Sequence, residues 1–204
     1  LKEYLDLLSI DIDIKNYAPI LEVKNNWVKE QLDSFTFKIP EKFIVFTPGA
    51  IYGPSKQWPV EHFRELGEKL YIAFGYKILL LGTYEDVESS EKISQNHKWI
   101  YNYCGKTTLG QLLAILTKAQ LLVGNDSGST HLMAALKRPQ IAVFGSTSPT
   151  WTGPINSNAT VICRNLSCSP CFSRTCRFGH YECLTQIFPE DVFAEVQKHF
   201  SQAY

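Results

Sequence analysis

Short apolar runs at Phe43–Phe46, Tyr76–Leu81, Trp99–Tyr103, Gln120–Val123 and Gln140–Phe144 alternate with segments of a different period. Between them the apolar residues recur at three- and four-residue steps, as in Val60, Phe63, Leu66, Leu70 and Phe74, or Leu109, Leu112, Leu113 and Leu116. A continuous run of four to six apolar residues suits a strand buried on both faces, and the longer period suits a helix with one apolar stripe. Strands separated by helices are joined by right-handed crossovers, so the pattern predicts an α/β fold: a parallel sheet with helices on both faces.

Local signals sharpen the assignment. Trp58-Pro59 opens the first helix, where the missing proline N–H costs nothing. A second helix is expected from about Asp86 to Asn96, and a short one after Gly124–Ser129 runs through Leu136 to a stop at Arg138-Pro139. Thr160–Cys163 is a candidate edge strand, Arg164–Ile187 a Cys-rich loop, and Pro189–Phe200 a closing amphipathic helix. Residues before about Glu41 start helix-like and do not continue the rhythm, so residues 1–40 are expected to form a connecting segment and 41–204 the domain.

Composition removes several classes of function. With 45% hydrophobic residues over 204, the chain has ample apolar surface for a packed core. Its 20 basic residues equal its 20 acidic ones, so no global field draws it to nucleic acid, and any anion site must be local. No apolar run approaches the roughly 20 residues that span a bilayer. The opening LKEYLDLLSIDIDI carries acids where a secretory signal carries bases, which points to the cytoplasm, and it lacks an initiator Met, as a processed or partial chain would.

Parallel sheets bind ligands at the carboxyl ends of their strands. Those ends are expected at Thr47–Lys56, Gly82–Asp86, Cys104–Thr108, Gly124–His131 and Gly145–Thr152, where the Gly, Ser, Thr, Asp and Lys residues collect. Gly124–His131 (GNDSGSTH) leaves a strand and enters a helix, and free N–H groups there, with Gly128 allowing close approach, suit a diphosphate. Asp126 or Ser127 acting as an ordinary N-cap, with His131 packed in the core, explains the same letters. In Pro48–Pro59 (PGAIYGPSKQWP), Lys56 precedes a helix start, a poor place for a cation unless an anion lies between; a solvated lysine is the plain alternative. Trp58 suits packing better than base stacking. Asp86 in LGTYED could hold ribose hydroxyls or, with Glu85, simply stabilise a helix start. No G-x-G-x-x-G follows a strand and no G-x-x-x-x-G-K-[ST] occurs, which demotes the dehydrogenase and P-loop readings.

Taken together, K-x-W-P at Lys56–Pro59, L-G-x-x-x-D at Leu81–Asp86, D-S-G-x-x-H at Asp126–His131 and A-A-L-x-R-P-x-I-A-V-F-G at Ala134–Gly145 resemble the C-terminal half of lipopolysaccharide heptosyltransferases, glycosyltransferase family 9. The segment Cys168–Leu184 is similar to the heptosyltransferase II branch. The resemblance implies a Rossmann-like lobe of a GT-B glycosyltransferase that binds ADP-heptose, with no cofactor required for catalysis. Lys56 and Asp126 would carry the catalytic roles, Lys56 on phosphates or sugar and Asp126 near the heptose hydroxyls. Asp86 would approach the ribose; Ser127, Gly128, Ser129 and His131 belong to the diphosphate loop, and Gly105, Lys106 and Thr107 would lie near adenine. The lipopolysaccharide inner core would be the acceptor, bound by an N-terminal lobe that also carries the general base and that is expected to be missing here. Transfer would be inverting, at the inner face of the bacterial inner membrane. Rival readings are a GT-B enzyme using another nucleotide sugar, and a non-catalytic nucleotide-binding or zinc-stabilised interaction module.

Cysteine is concentrated in one stretch: Cys163, Cys168, Cys171, Cys176 and Cys183, with Cys104 apart. The spacing of Cys168, Cys171, Cys176 and Cys183, with His180 nearby, is a candidate structural zinc site; disulfides or free thiols fit equally. Arg164, Arg174 and Arg177 in the same loop could face acceptor phosphates or solvent.

Overall fold

The structure is a computed structural model and describes residues 18–201. Its centre is a six-stranded, wholly parallel sheet in the order β3-β2-β1-β4-β5-β6. The strands are β1 Phe43–Thr47, β2 Lys77–Leu80, β3 Ile100–Asn102, β4 Leu122–Asn125, β5 Gln140–Phe144 and β6 Ala159–Cys163. The helices are α1 Asn25–Asp33, α2 Val60–Phe74, α3 Val87–Ser94, α4 Leu109–Lys118, α5 Gly128–Ala135, α6 Pro149–Thr152, α7 Glu182–Thr185 and α8 Pro189–Ser201. The candidate edge strand is therefore β6, paired in parallel to β5. The Cys-rich loop holds the short α7, and single turns of 3₁₀ helix at Pro54–Lys56 and Tyr84–Asp86 precede α2 and α3.

Alternation along the central strands sorts the core into two layers. Ile44 and Phe46 join Phe63, Leu66, Leu70, Ile93, Val192 and Val196 under α2, α3 and α8. Phe43 and Val45 point the other way, joining Ile115, Leu116 and Met133 under α4 and α5. Phe35, just after α1, is buried in that second layer, and Leu21 N–H donates to Ala135 O at 2.8 Å. Trp58 is 1% exposed; its ring meets Phe63 edge-on at 4.8 Å, and its indole N–H donates to Ile187 O at 2.8 Å. It is a packing residue that ties the α2 entry to the end of the Cys-rich loop.

The strand order puts the change of winding direction between β1 and β4. From β1 the chain proceeds outward through β2 and β3; from β4 it proceeds the opposite way through β5 and β6. The loops leaving β1 and β4 therefore diverge and open a crevice at their carboxyl ends. Among the described residues no helix is long and apolar enough to cross a membrane.

Candidate functional site

A cavity of about 490 Å³ occupies that crevice. Its polar lining includes Thr47, Lys56, Thr83, Asp86, Asp126, Ser127, Ser129, His131 and Thr152. Leu81, Leu109, Leu112 and Leu132 give it an apolar wall.

Lys56 and Asp126 meet inside it. Lys56 Nζ donates to Asp126 Oδ2 at 2.6 Å, and their side chains are 11% and 3% exposed. The solvated-lysine alternative is thereby excluded. The ammonium also lies 4.8 Å from the centre of the Tyr52 ring. Two further donors converge on the same carboxylate oxygen: Thr147 Oγ1 at 2.6 Å and Thr152 Oγ1 at 3.0 Å. Asp126 N–H donates to Val143 O at 3.2 Å, extending the β4–β5 ladder by one residue and fixing where the carboxylate starts.

The N-cap alternative for this loop fails. Ser127 occupies the cap position of α5, yet its side chain makes no cap hydrogen bond, and its buried hydroxyl has no partner among the described residues. Asp126 is committed to Lys56 and the two threonines. Gly128 opens α5 with nothing within 4 Å of where a Cβ would stand, and His131 is exposed at the cavity rather than packed in the core. Thr47 Oγ1, buried beside Gly124 on the neighbouring strand, is a second unpartnered hydroxyl. A buried polar group without a partner costs roughly 1–3 kcal/mol. Two of them facing a cavity at a helix N-terminus suit an anionic ligand that supplies acceptor oxygens.

The turn carrying Lys56 is held from outside. Neighbouring Ser55 donates its N–H to Arg174 O at 3.2 Å and its hydroxyl to Ser173 O. Its own carbonyl accepts from Ser146 N–H at 3.2 Å, and its Oγ from Ser146 Oγ at 3.0 Å. Gly53 has φ +143°, and a Cβ there would come within 2.6 Å of Arg174 O, so close docking of the Cys-rich loop requires glycine. Asn125 adds a second brace, accepting from Trp58 N–H at 3.0 Å and donating to Pro48 O. Sequence reasoning missed Asn125, Thr147 and Thr152; the one available signal was the Ser/Thr content of Gly145–Thr152.

Asp86 is positioned differently. Its Oδ2 accepts from Thr83 N–H at 2.8 Å and Thr83 Oγ1 at 3.0 Å, within its own turn, while the residue still lines the cavity. Glu85 is exposed outside it. Gly105, Lys106 and Thr107, expected beside adenine, are also outside the lining. Gly105 N–H bonds Gly82 O at 3.0 Å, and Lys106 Nζ turns back to Asn102 O at 2.9 Å.

The structure brings Cys168, Cys171, Cys176 and Cys183 together with His180 around one small cavity. Among the described residues no group of three or more His, Cys, Asp or Glu side chains is disposed to hold a metal ion, and all six cysteines are free thiols. The loop is fastened by other means: Cys171 and Phe172 N–H groups both bond Ser146 O, Ser169 Oγ bonds Gly145 O, and Cys183, Leu184 and Ile187 pack into the core. Cys176 is instead held below the usual thiol range by backbone N–H groups led by Tyr181, and His180 Nδ1 accepts from Glu182 N–H at 3.0 Å. Arg164 pairs with Asp191 and bonds Gln186 O, so it serves structure; Arg174 and Arg177 lie over the Tyr52 and Phe178 rings.

Comparison with known proteins gives this geometry a family context. The family described as Glycosyltransferase family 9 (heptosyltransferase) matches residues 1–182. Lipopolysaccharide heptosyltransferase 2 of Salmonella typhimurium is 32% identical over 189 residues, covering 90% of this chain and 54% of that protein. Lipooligosaccharide heptosyltransferase 2 of Haemophilus influenzae is 37% identical over 159 residues, covering 74% and 46%. Among solved structures, E. coli ADP-heptose lps heptosyltransferase II superposes with a TM-score of 0.77 at 32% identity, covering 91% of this chain and 54% of that one. E. coli heptosyltransferase WaaC with ADP gives 0.64 at 26%, covering 84% and 48%. The chain thus spans about half the length of the relatives it matches.

Proposed function

The chain belongs to glycosyltransferase family 9, the heptosyltransferases, and from that premise we propose that it is the donor-binding half of an enzyme transferring heptose from ADP-heptose to the lipopolysaccharide inner core. The observation that carries this reading is the Lys56–Asp126 pair, set with the unpartnered Ser127 and Thr47 hydroxyls around the N-terminus of α5, in a cavity at the β1/β4 divergence.

The parts take roles by their chemistry. Lys56 and the first N–H groups of α5 hold the diphosphate and stabilise the charge that grows on it as the sugar leaves. Asp126, one oxygen bound and the other taking no hydrogen bond from a described residue, orients a sugar hydroxyl. Asp86 reaches the ribose, and the leucine wall receives adenine in place of the Gly105–Thr107 loop. The acceptor and the base that deprotonates its hydroxyl belong to a second, N-terminal lobe, joined through residues 1–40, because transfer needs the acceptor oxygen held against the anomeric carbon. The enzyme works at the cytoplasmic face of the inner membrane and needs no cofactor.

Calorimetric titration tests the donor assignment. ADP is expected to bind and UDP to bind more weakly, and Lys56→Ala should weaken ADP by about 1–3 kcal/mol, the worth of a charge-assisted contact. Equal affinity for UDP and ADP would overturn it.

A further inference from the structure

We propose that Thr147 and Thr152 are positioning residues of this site, holding the Asp126 carboxylate in place while Lys56 changes partners as a diphosphate enters. The inference rests on the donor-site reading above and goes beyond it.

Asp126 Oδ2 is a point of convergence for three elements remote in sequence. Lys56 comes from the turn after β1, Thr147 from the loop after β5, and Thr152 from the end of α6. Asp126 is 4% exposed and Thr147 5%, so neither can exchange its partner for bulk water without rearrangement. Each threonine hydroxyl has a single proton to give. Thr147 gives its proton to Asp126; Thr152 points chiefly the same way, with Ser148 O a longer alternative at 3.4 Å.

Among the described residues Lys56 Nζ donates a hydrogen bond to Asp126 alone, and both residues line the cavity. A dianion arriving there competes with the carboxylate for the same ammonium. Were Lys56 the sole donor to Asp126, its departure would leave a buried carboxylate uncompensated, and that cost would be subtracted from ligand affinity. Two hydroxyl donors that stay behind keep the oxygen solvated by protein and keep the carboxylate from following the lysine. They thereby lower the cost of releasing Lys56 and hold Asp126 in one orientation. A simple staple between the β5 loop and β4 would use the same bonds, but it would not make ligand affinity depend on them.

The test is calorimetric titration with ADP of Thr147→Val, Thr152→Val and the double variant, beside Thr147→Ser and Thr152→Ser, with thermal unfolding measured on each. Valine keeps the branched shape and removes the hydroxyl; serine keeps the hydroxyl. Each valine variant is expected to weaken ADP about 3- to 10-fold and the pair more than about 10-fold, with the serine variants within about twofold of wild type. Val variants that bind ADP as wild type does would overturn the proposal, as would Ser variants impaired as much as Val. If the double variant or Thr147→Val does not fold, Thr152→Val, at a partly exposed position, carries the same thresholds. Failure of the wild-type protein to bind ADP is a separate outcome, seen in the first titration; it overturns the donor reading and the inference with it.

Discussion

Two carboxylate-bearing loops face the same cavity, and they are built in opposite ways. Asp126, after β4, is buried, and its hydrogen-bonding oxygen is filled by side chains 70, 21 and 26 residues away. Asp86, after β2, is partly exposed and is held by Thr83, three residues before it. One acid is placed by the tertiary fold, the other by its own turn. The Asp126 loop should therefore be the fragile and chemically committed one, and the Asp86 loop should be replaceable at small cost.

Asp126→Ala gives the largest effect that this contrast predicts. It leaves the Lys56 ammonium buried without its partner, and removing one member of a buried pair typically costs about 3–5 kcal/mol. Denaturant unfolding should show that loss as a lower midpoint with an unchanged slope. ADP binding should fall with it. A loss below about 1 kcal/mol would mean that Lys56 finds another partner and that the two loops are not different in kind.

The same contrast explains what was legible in the sequence. Strand existence and order of elements were readable, because apolar runs such as Phe43–Phe46 and stripes such as Phe63, Leu66 and Leu70 report burial locally. Boundaries moved where polar residues are buried: β4 runs to Asn125, two residues past the apolar run, because Asn125 braces Pro48 and Trp58 from a fully buried position. Loop chemistry singled out Lys56 and Asp126 only as candidates, beside a solvated lysine and an N-cap, and could not give their pairing, since nothing local sets a contact across 70 residues. Thr147 and Thr152 were invisible for the same reason. The cysteine spacing reported a true cluster, since Cys168, Cys171, Cys176 and Cys183 line one small cavity, whereas the hydrogen bonds to Ser55, Gly145 and Ser146 that fasten the loop left no local signal.

Behind the Asp86 loop lies a buried thiol that gives a second, intermediate effect. Cys104 follows β3, is 1% exposed, and touches Ser90 Oγ at 3.0 Å. Burial, aided by the Asp86 charge and opposed by Ser90, pushes its pKa up to about 11 from 9.0. The unfolded thiol then loses its proton first, so stability is complete below about pH 9 and falls as the pH rises to about 11. The loss attributable to Cys104 is about 2–3 kcal/mol at most. Cys183, also raised to about 11 by burial, falls in the same window. Cys104→Ala should be less stable at pH 7, yet flatter between pH 9 and 11. An unchanged alkaline slope would place the titration elsewhere.

Asp86→Ala carries the smallest effect and the sharpest test of the contrast. Both of its donors come from Thr83, so the loss should resemble that of a capping residue, about 1 kcal/mol, a fraction of the Asp126 cost. Its role toward the ligand can be separated from its role in the turn by a residue on the facing loop. A Cβ on Gly49 would stand 2.1–2.3 Å from the Asp86 carboxylate atoms, so Gly49→Ala must push that carboxylate aside, and the flexible end of the side chain can yield. If Asp86 holds the ribose, Gly49→Ala and Asp86→Ala should weaken ADP to a similar degree. The double variant should then be little worse than either, because the second change removes nothing that remains. Additive losses would show that alanine at Gly49 obstructs the cavity directly, and an Asp86→Ala protein with wild-type ADP affinity would leave Asp86 as a turn residue alone.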